Sequence, residues 1–240
     1  GGLTKAATLI NQAKSEVPDG NTLIFDLGDV MYDYTTDYIY EHDQSETQPI
    51  YKAMASLNYD AIILGNHDYE YTLPYIQKQY ETSGLKDKVI ASNITDAVTG
   101  KHVFNENKII EKTLKTKAGA SVTVKVGVIG ESIPILSKKR CDYTGVLNGE
   151  DMVANVKKET KILKDAGADI VVVLAHSGVG SEQPALMDEN VGYALTQIDG
   201  VDAVLCGHKH SNFCADGTTH YDTYPGVDTK TGLVNGKNLV

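Results

Sequence analysis

Residues 61–68 read Ala61-Ile62-Ile63-Leu64-Gly65-Asn66-His67-Asp68. An apolar run with β-branched members passes into a glycine and then into polar side chains. That is the pattern of a buried parallel strand closed by a breaker. The glycine lets the backbone turn sharply at the strand end. Asn66, His67 and Asp68 are then presented on a loop, where function concentrates.

The same grammar recurs along the chain. Leu23-Ile24-Phe25-Asp26-Leu27 ends in Gly28-Asp29; Ile170-Val171-Val172-Val173-Leu174-Ala175 ends in His176; Ala203-Val204-Leu205-Cys206 ends in Gly207-His208-Lys209-His210. In open α/β sheets, ligands collect outside the carboxyl ends of the strands. One reading covers every case: Asp29, Asn66, His176, His208 and His210 converge on a single site. Oxygen and imidazole donors together suit a hydrolytic divalent transition metal such as Mn, Fe or Zn.

The bulk numbers fit that reading. The chain has 240 residues, 41% of them hydrophobic and 22% charged, as in an ordinary globular domain. Its net charge of −10 excludes a basic nucleic-acid footprint. No apolar run approaches the roughly 18 residues of a membrane span. Gly1-Gly2 is an unusual natural start, so a trimmed chain or mature fragment is expected. The cysteines are Cys141, Cys206 and Cys214, an odd number without CxxC spacing. Cys206 lies in an apolar strand and reads as a core thiol, with a Cys206–Cys214 bridge as the alternative.

Between the motifs, helical periodicity is expected over 3–17, 47–57, 72–82, 150–166 and 184–198. The segment 30–45, rich in Tyr and Asp, reads as a loop. A short strand is expected at 88–92, a β-hairpin at 109–116 and 121–130, and late strands at 218–224 and 233–240. Strands alternating with helices give an α/β protein with added hairpins. One domain is expected, because the strand-end motifs must share a core.

Each motif has a bland reading beside the chemical one. Asp29 could be a turn or N-cap aspartate, but a carboxylate after a strand-ending glycine is also placed to bridge two cations. Asp26, inside the strand, is expected to support the loop. His67 directly follows Asn66 and should point elsewhere, which suits a general acid or a cation facing transferred phosphoryl charge. Asp68 is expected to hold the His67 tautomer. Ser177 beside His176 lacks the G-x-S-x-G setting of a serine hydrolase. His42, His102 and His220 read as surface residues. Tyr32, Tyr34, Tyr38 and Tyr40 either rim the pocket and stack on a base or form an amphipathic lid.

Taken in order, Gly28-Asp29, Gly65-Asn66-His67-Asp68, His176 and Gly207-His208-Lys209-His210 resemble the calcineurin-like metallophosphoesterases. Leu174-Ala175-His176-Ser177-Gly178 and Ile198-Asp199-Gly200-Val201-Asp202-Ala203 resemble the branch of bacterial 2′,3′-cyclic-nucleotide 2′-phosphodiesterase/3′-nucleotidases. The resemblance implies a β-sandwich flanked by helices in α/β/β/α layers, and two divalent metals. It implies that Asp29 bridges them, that Asn66, His176 and His208 bind one, and that His210 binds the other. His67 would act near the phosphate while a metal-bound hydroxide attacks phosphorus in line.

The sequence departs from the family pattern in two places. On this resemblance the opening Asp-x-His strand is expected to lie upstream of Gly1-Gly2-Leu3-Thr4, and a C-terminal nucleotide-gripping domain is expected to lie outside residues 1–240. The expectation is therefore a single domain over 1–240 that holds at most one metal well and works poorly alone. The resemblance also implies a nucleotide substrate and an exported bacterial protein, periplasmic or wall-associated. A 5′-nucleotidase or UDP-sugar hydrolase is an alternative, and a catalytically silent surface binding module is a rival of another class.

Overall fold

In the computed structural model, which describes residues 2–136, 140–211, 213 and 220–240, the chain opens with helix α1 (Leu3–Ser15), strand β1 (Phe25–Asp26), helices α2 (Tyr34–His42) and α3 (Pro49–Ala55), and strand β2 (Ala61–Ile62). Helix α4 (Leu73–Thr82), strands β3 (Ile94–Asp96), β4 (Asn107–Lys115), β5 (Ser121–Glu131) and β6 (Leu147–Gly149), and helix α5 (Met152–Asp165) follow. The remainder is strand β7 (Ile170–Ala175), helix α6 (Gly192–Thr196) and strands β8 (Ala203–Cys206), β9 (Val227–Asp228), β10 (Leu233–Val234) and β11 (Lys237–Leu239).

The strands form a seven-stranded sheet in the order β4-β5-β7-β8-β11-β10-β9, a parallel pair β1-β2, and an antiparallel pair β3-β6. The register explains why the strand-end motifs meet. Phe25 pairs with Ala61 and Asp26 with Ile62, so the β1 and β2 loops leave the same edge. Ala175 pairs with Cys206, so the β7 and β8 loops leave together as well.

Three apolar clusters separate four layers. Ala61 and Ile63 pack with Val126, Val128, Val172 and Leu174, filling the space between the β1-β2 pair and the large sheet. Ile62 and Leu64 point the other way, onto Tyr51 and Met54 of α3 and Tyr75, Ile76 and Tyr80 of α4, with α1 laid on as well. Val171, Val173 and Val204 face Met152, Val156 and Leu163 of α5 and Leu195 of α6. Alternate residues of each strand therefore serve different cores. This is why the strands read as unbroken apolar runs without alternation. The α/β/β/α sandwich is the expected one.

Four local expectations are corrected. Residues 30–45 contain α2, because Asp33 caps the helix by accepting from the Thr36 N–H at 2.7 Å. The 88–92 strand is reduced to single bridges, Ile62 to Val89 and Ile90 to Asn105. Of the 184–198 helix only α6 forms, after a segment in which Met187 takes a left-handed φ of 66°. Residues His220–Thr223 are a 3-10 turn, and residues 218 and 219 lie outside the described set. The 233–240 region is two short strands, β10 and β11, around Asn235-Gly236, both at positive φ. Cys206 is a free thiol packed against the α5/α6 core; Cys214, its alternative partner, lies outside the described residues.

Close backbone approach sets the geometry of the site. A Cβ on Gly28, at φ 87°, would sit 2.3 Å from the Gly65 nitrogen. A Cβ on Gly65 would sit 2.2 Å from Asp29 Oδ1 and 2.4 Å from His176 Cε1. These loops close only because both positions lack a side chain.

At the end of β5, the wholly buried Glu131 accepts from Asn155 Nδ2 at 2.7 Å, while its other oxygen has no hydrogen-bond partner among the described residues. Burial holds its carboxyl well above the ordinary range, against the Asn155 bond and aided by the charge of Glu159.

Two outcomes are expected. Gly65→Ala should lower stability by about 1–3 kcal/mol, the usual cost of overpacking, measured by urea unfolding. An unchanged midpoint would contradict the tight approach. Because folding raises the Glu131 pKa, its contribution to stability is complete below pH 4.5 and is lost as pH climbs toward the folded value. Glu131→Gln should therefore gain on the parent in thermal melts as pH rises from 5 to 8. A constant gap would rule out a buried neutral carboxyl.

Candidate active site

Four loops, one from each of β1, β2, β7 and β8, bring Asp29, Asn66, His176 and His208 together. Asn66 stands at the centre. Its Oδ1 lies 3.1 Å from His176 Nε2 and 3.0 Å from His208 Nδ1. Asp29 Oδ2 lies 3.2 Å from the same His176 nitrogen. The two imidazole rings are 5.1 Å apart between centroids. Asp29, His208 and His210 all adopt left-handed backbone, at φ 61°, 70° and 50°. Such strain in non-glycine residues is concentrated at functional sites.

The Leu27 carbonyl accepts a hydrogen bond from His176 Nδ1 at 2.7 Å, so Nε2 is directed into the cluster. Burial alone would depress the His176 pKa, but the Asp29 hydrogen bond and charge and the Leu27 carbonyl outweigh it, and the net shift is upward. Asp29 mirrors this: burial opposes its charge, yet the His176 contact and the His67 N–H, donated at 2.8 Å, hold its carboxyl below the ordinary range. His208 moves down, through burial opposed by Glu189 and reinforced by the charge of His176. Glu189 Oε1 stands 3.4 Å from His208 Nε2, an ion-pair contact without hydrogen-bond geometry, and 3.1 Å from Lys209 Nζ.

This donor set fits a divalent cation. Ligands about 2.0–2.2 Å from one metal in tetrahedral or octahedral array lie roughly 3–3.5 Å from each other. The contacts of 3.0, 3.1 and 3.2 Å have that spacing. Among the described residues no three His, Cys, Asp or Glu side chains group as a metal cage by themselves. The Asn66 amide oxygen is what links His208 to Asp29 and His176.

The other expected residues fall differently. His210 is exposed, and no hydrogen bond among the described residues ties it to the cluster. Asp68 does not pair with the His67 ring. It is fully buried and spends its oxygens on backbone: Oδ2 accepts from Asp29 and Gly65, each at 2.8 Å, and Oδ1 from Met31 at 3.2 Å. Burial raises its carboxyl to about 6 even against these donors, with the charge of Asp29 adding to the rise. The acid beside His67 is Glu70, whose Oε1 is 2.8 Å from Nδ1. Asp26 does support its loop, accepting from the Gly28 N–H at 3.0 Å.

Sequence reading missed Glu70, Glu189 and the Leu27 carbonyl. The i, i+3 spacing of His67 and Glu70 within a single 3-10 turn was the available signal for the first. Glu189 arrives from an irregular segment, and a carbonyl leaves no mark in a sequence. Ser177 is buried, and its hydroxyl donates to the Gly178 carbonyl and accepts from the Val191 N–H. That is a structural role rather than a nucleophile's. His42 is exposed as expected; His102 is half-buried and meets Glu106 at 3.1 Å; the His220 side chain lies outside the described set. No helix among the described residues is long and apolar enough to cross a membrane.

Comparison with known proteins agrees with this picture. The 2′,3′-cyclic-nucleotide 2′-phosphodiesterase/3′-nucleotidase of Salmonella typhimurium is 34% identical over 239 residues, covering 98% of this chain and 36% of that protein. Its namesake from Yersinia enterocolitica is 31% identical over the same length and share. The chain thus spans little more than a third of the curated relatives it matches. The crystal structure of calcineurin-like phosphoesterase YfkN from Bacillus subtilis superposes with a TM-score of 0.87 at 28% identity, over 99% of this chain and 71% of that one. The family profile for calcineurin-like phosphoesterase matches residues 1–212, a stretch that takes in every strand-end donor from Asp29 to His210, and the chain belongs to that family.

Proposed function

We propose that this domain hydrolyses nucleotide phosphoesters with a divalent cation held by Asp29, Asn66, His176 and His208. The observation that carries the reading is the Asn66 amide oxygen, approached at 3.0 and 3.1 Å by two imidazoles from two other strands. The cation, of the Mn, Fe or Zn class, would supply Lewis acidity and a lowered water pKa. A second cation would have Asp29 and His210 to draw on, and one well-held ion is the proposed state of the 240-residue chain. The names of the relatives support a 2′,3′-cyclic-nucleotide 2′-phosphodiesterase/3′-nucleotidase activity for the substrate class, and an exported bacterial location belongs to the same proposal.

The chain's own residues divide the work. Asp29 accepts from the His67 backbone N–H, which fixes His67 beside the cluster. Glu70 accepts from Nδ1 of His67, so that the ring, when protonated on both nitrogens, can give the Nε2 proton to the leaving oxygen or face phosphoryl charge. The Tyr32 ring lies on His67 with centroids 3.8 Å apart and limits its rotation. Asp68 holds the two loops in register from beneath.

With Mn²⁺ supplied, the chain should release nitrophenol from bis-p-nitrophenyl phosphate and open 2′,3′-cyclic AMP. His67→Ala should cost about 10²–10⁴ in kcat, the range of one general acid–base group. Glu70→Gln should cost about 10–100-fold, as for partners that orient a catalytic ring. If Glu70→Gln has no effect, Glu70 is not the group that orients His67. A chain that takes up no Mn²⁺ and turns over neither substrate would instead be a binding module.

A further inference from the structure

Beside His67, a cavity of about 380 Å³ opens between the start of α2 and the turn after β2. Its volume lies within the roughly 300–1,000 Å³ of small-molecule sites. We propose that this cavity receives the nucleobase of a nucleotide whose phosphate lies at His67, so that this domain itself contributes to base recognition. The inference rests on the nucleotide reading above and adds to it a site that the strand-end motifs do not contain.

Three observations support it. Tyr32 and Tyr34 line the cavity and remain 59% and 94% exposed, large aromatic faces left to solvent although the neighbouring Tyr71 is buried. Aromatic faces at a cavity rim stack on heterocycles, and every base offers one. Next, the cavity is joined to the candidate catalytic residue from two sides. Tyr32 lies 3.8 Å from the His67 ring, and Glu70, which pairs with His67 at 2.8 Å, is part of the cavity wall.

Last, the described polar lining offers hydrogen-bond acceptors. Among the described lining residues Arg140 is the one cation, and its guanidinium is engaged by Asp37 at 2.6 Å. Asp37 also accepts from the Tyr71 hydroxyl at 2.5 Å. Among the described lining residues, the carboxylates of Asp33 and Asp37 stand against that one guanidinium. These acceptors suit a neutral ring with N–H donors, which a purine or pyrimidine provides. Asp33, which caps α2, fixes the backbone from which Tyr34 projects.

The test titrates adenosine, which carries no phosphate, and separately ribose 5-phosphate, which carries no base, into the 240-residue chain while the ring resonances of His67, Tyr32 and Tyr34 are followed by NMR. Adenosine should shift all three, and ribose 5-phosphate should not shift the tyrosines. Tyr34→Ala, at an exposed position outside the core, should weaken adenosine about five- to hundredfold, as for loss of one stacked base. Tyr34→Phe should keep the affinity within about twofold. Adenosine shifts that are absent from these rings, or an affinity untouched by Tyr34→Ala, would overturn the proposal. The readout needs neither turnover nor a bound cation. Adenosine binding without hydrolysis would sink the proposed activity and leave this site standing; hydrolysis without adenosine at Tyr34 would sink this site alone.

Discussion

A single buried carboxylate holds the candidate site together. Asp68 is wholly enclosed, and its two oxygens take N–H groups from Asp29, Met31 and Gly65. It thereby ties the loop after β1 to the loop after β2, at the place where Gly28 and Gly65 come into backbone contact. Asp29 must adopt left-handed backbone there, at φ 61°, and the hydrogen bond from its own N–H is part of what offsets that strain. Leaving such buried donors unmet costs about 1–3 kcal/mol for each group. Asp29 and Asn66 reach a common centre because Asp68 lies beneath them.

The second half of the site comes from the other sheet. β7 and β8 are neighbours in the seven-stranded sheet, whereas β1 and β2 pair with each other and pack across an apolar layer. The cluster lies where the two sheets' edges meet. Contacts from His176 to Leu27, Asn66 and Asp29 cross that boundary, so His176 joins the sheets chemically as well as geometrically. The sandwich fixes the distance between its sheets through Ile63, Ile90, Val128 and Leu174, all fully buried. Core packing is therefore also what sets the spacing between the donors.

Much of this was legible in the sequence, for definite reasons. Strands buried on both faces leave unbroken apolar runs, and a strand end followed by glycine and a polar residue marks a loop whose side chains face a cleft. That grammar found Asp29, Asn66, His176 and His208. It failed for Asp68 because adjacency in sequence suggested a partner for His67, whereas a 3-10 turn carries the Asp68 side chain inward and brings Glu70 to the ring. It failed for α2 because the Tyr- and Asp-rich composition of 30–45 resembles a loop until Asp33 is recognised as a cap. It overextended the 184–198 helix, where apolar spacing continued through a segment with a left-handed Met187. Short strands such as β1 and β2, each two residues long, depend on cross-sheet packing that no local pattern encodes.

The central claim is that side chains from four strands share one cation, and paramagnetic broadening tests it most directly. With histidine ring protons resolved by NMR, substoichiometric Mn²⁺ should bleach the His176 and His208 signals first, while His42 and His102 stay sharp. Replacing Asn66 with Ala should abolish that selectivity. Broadening that begins at His42 or His102, or that leaves His176 and His208 untouched as Mn²⁺ is raised, would contradict it.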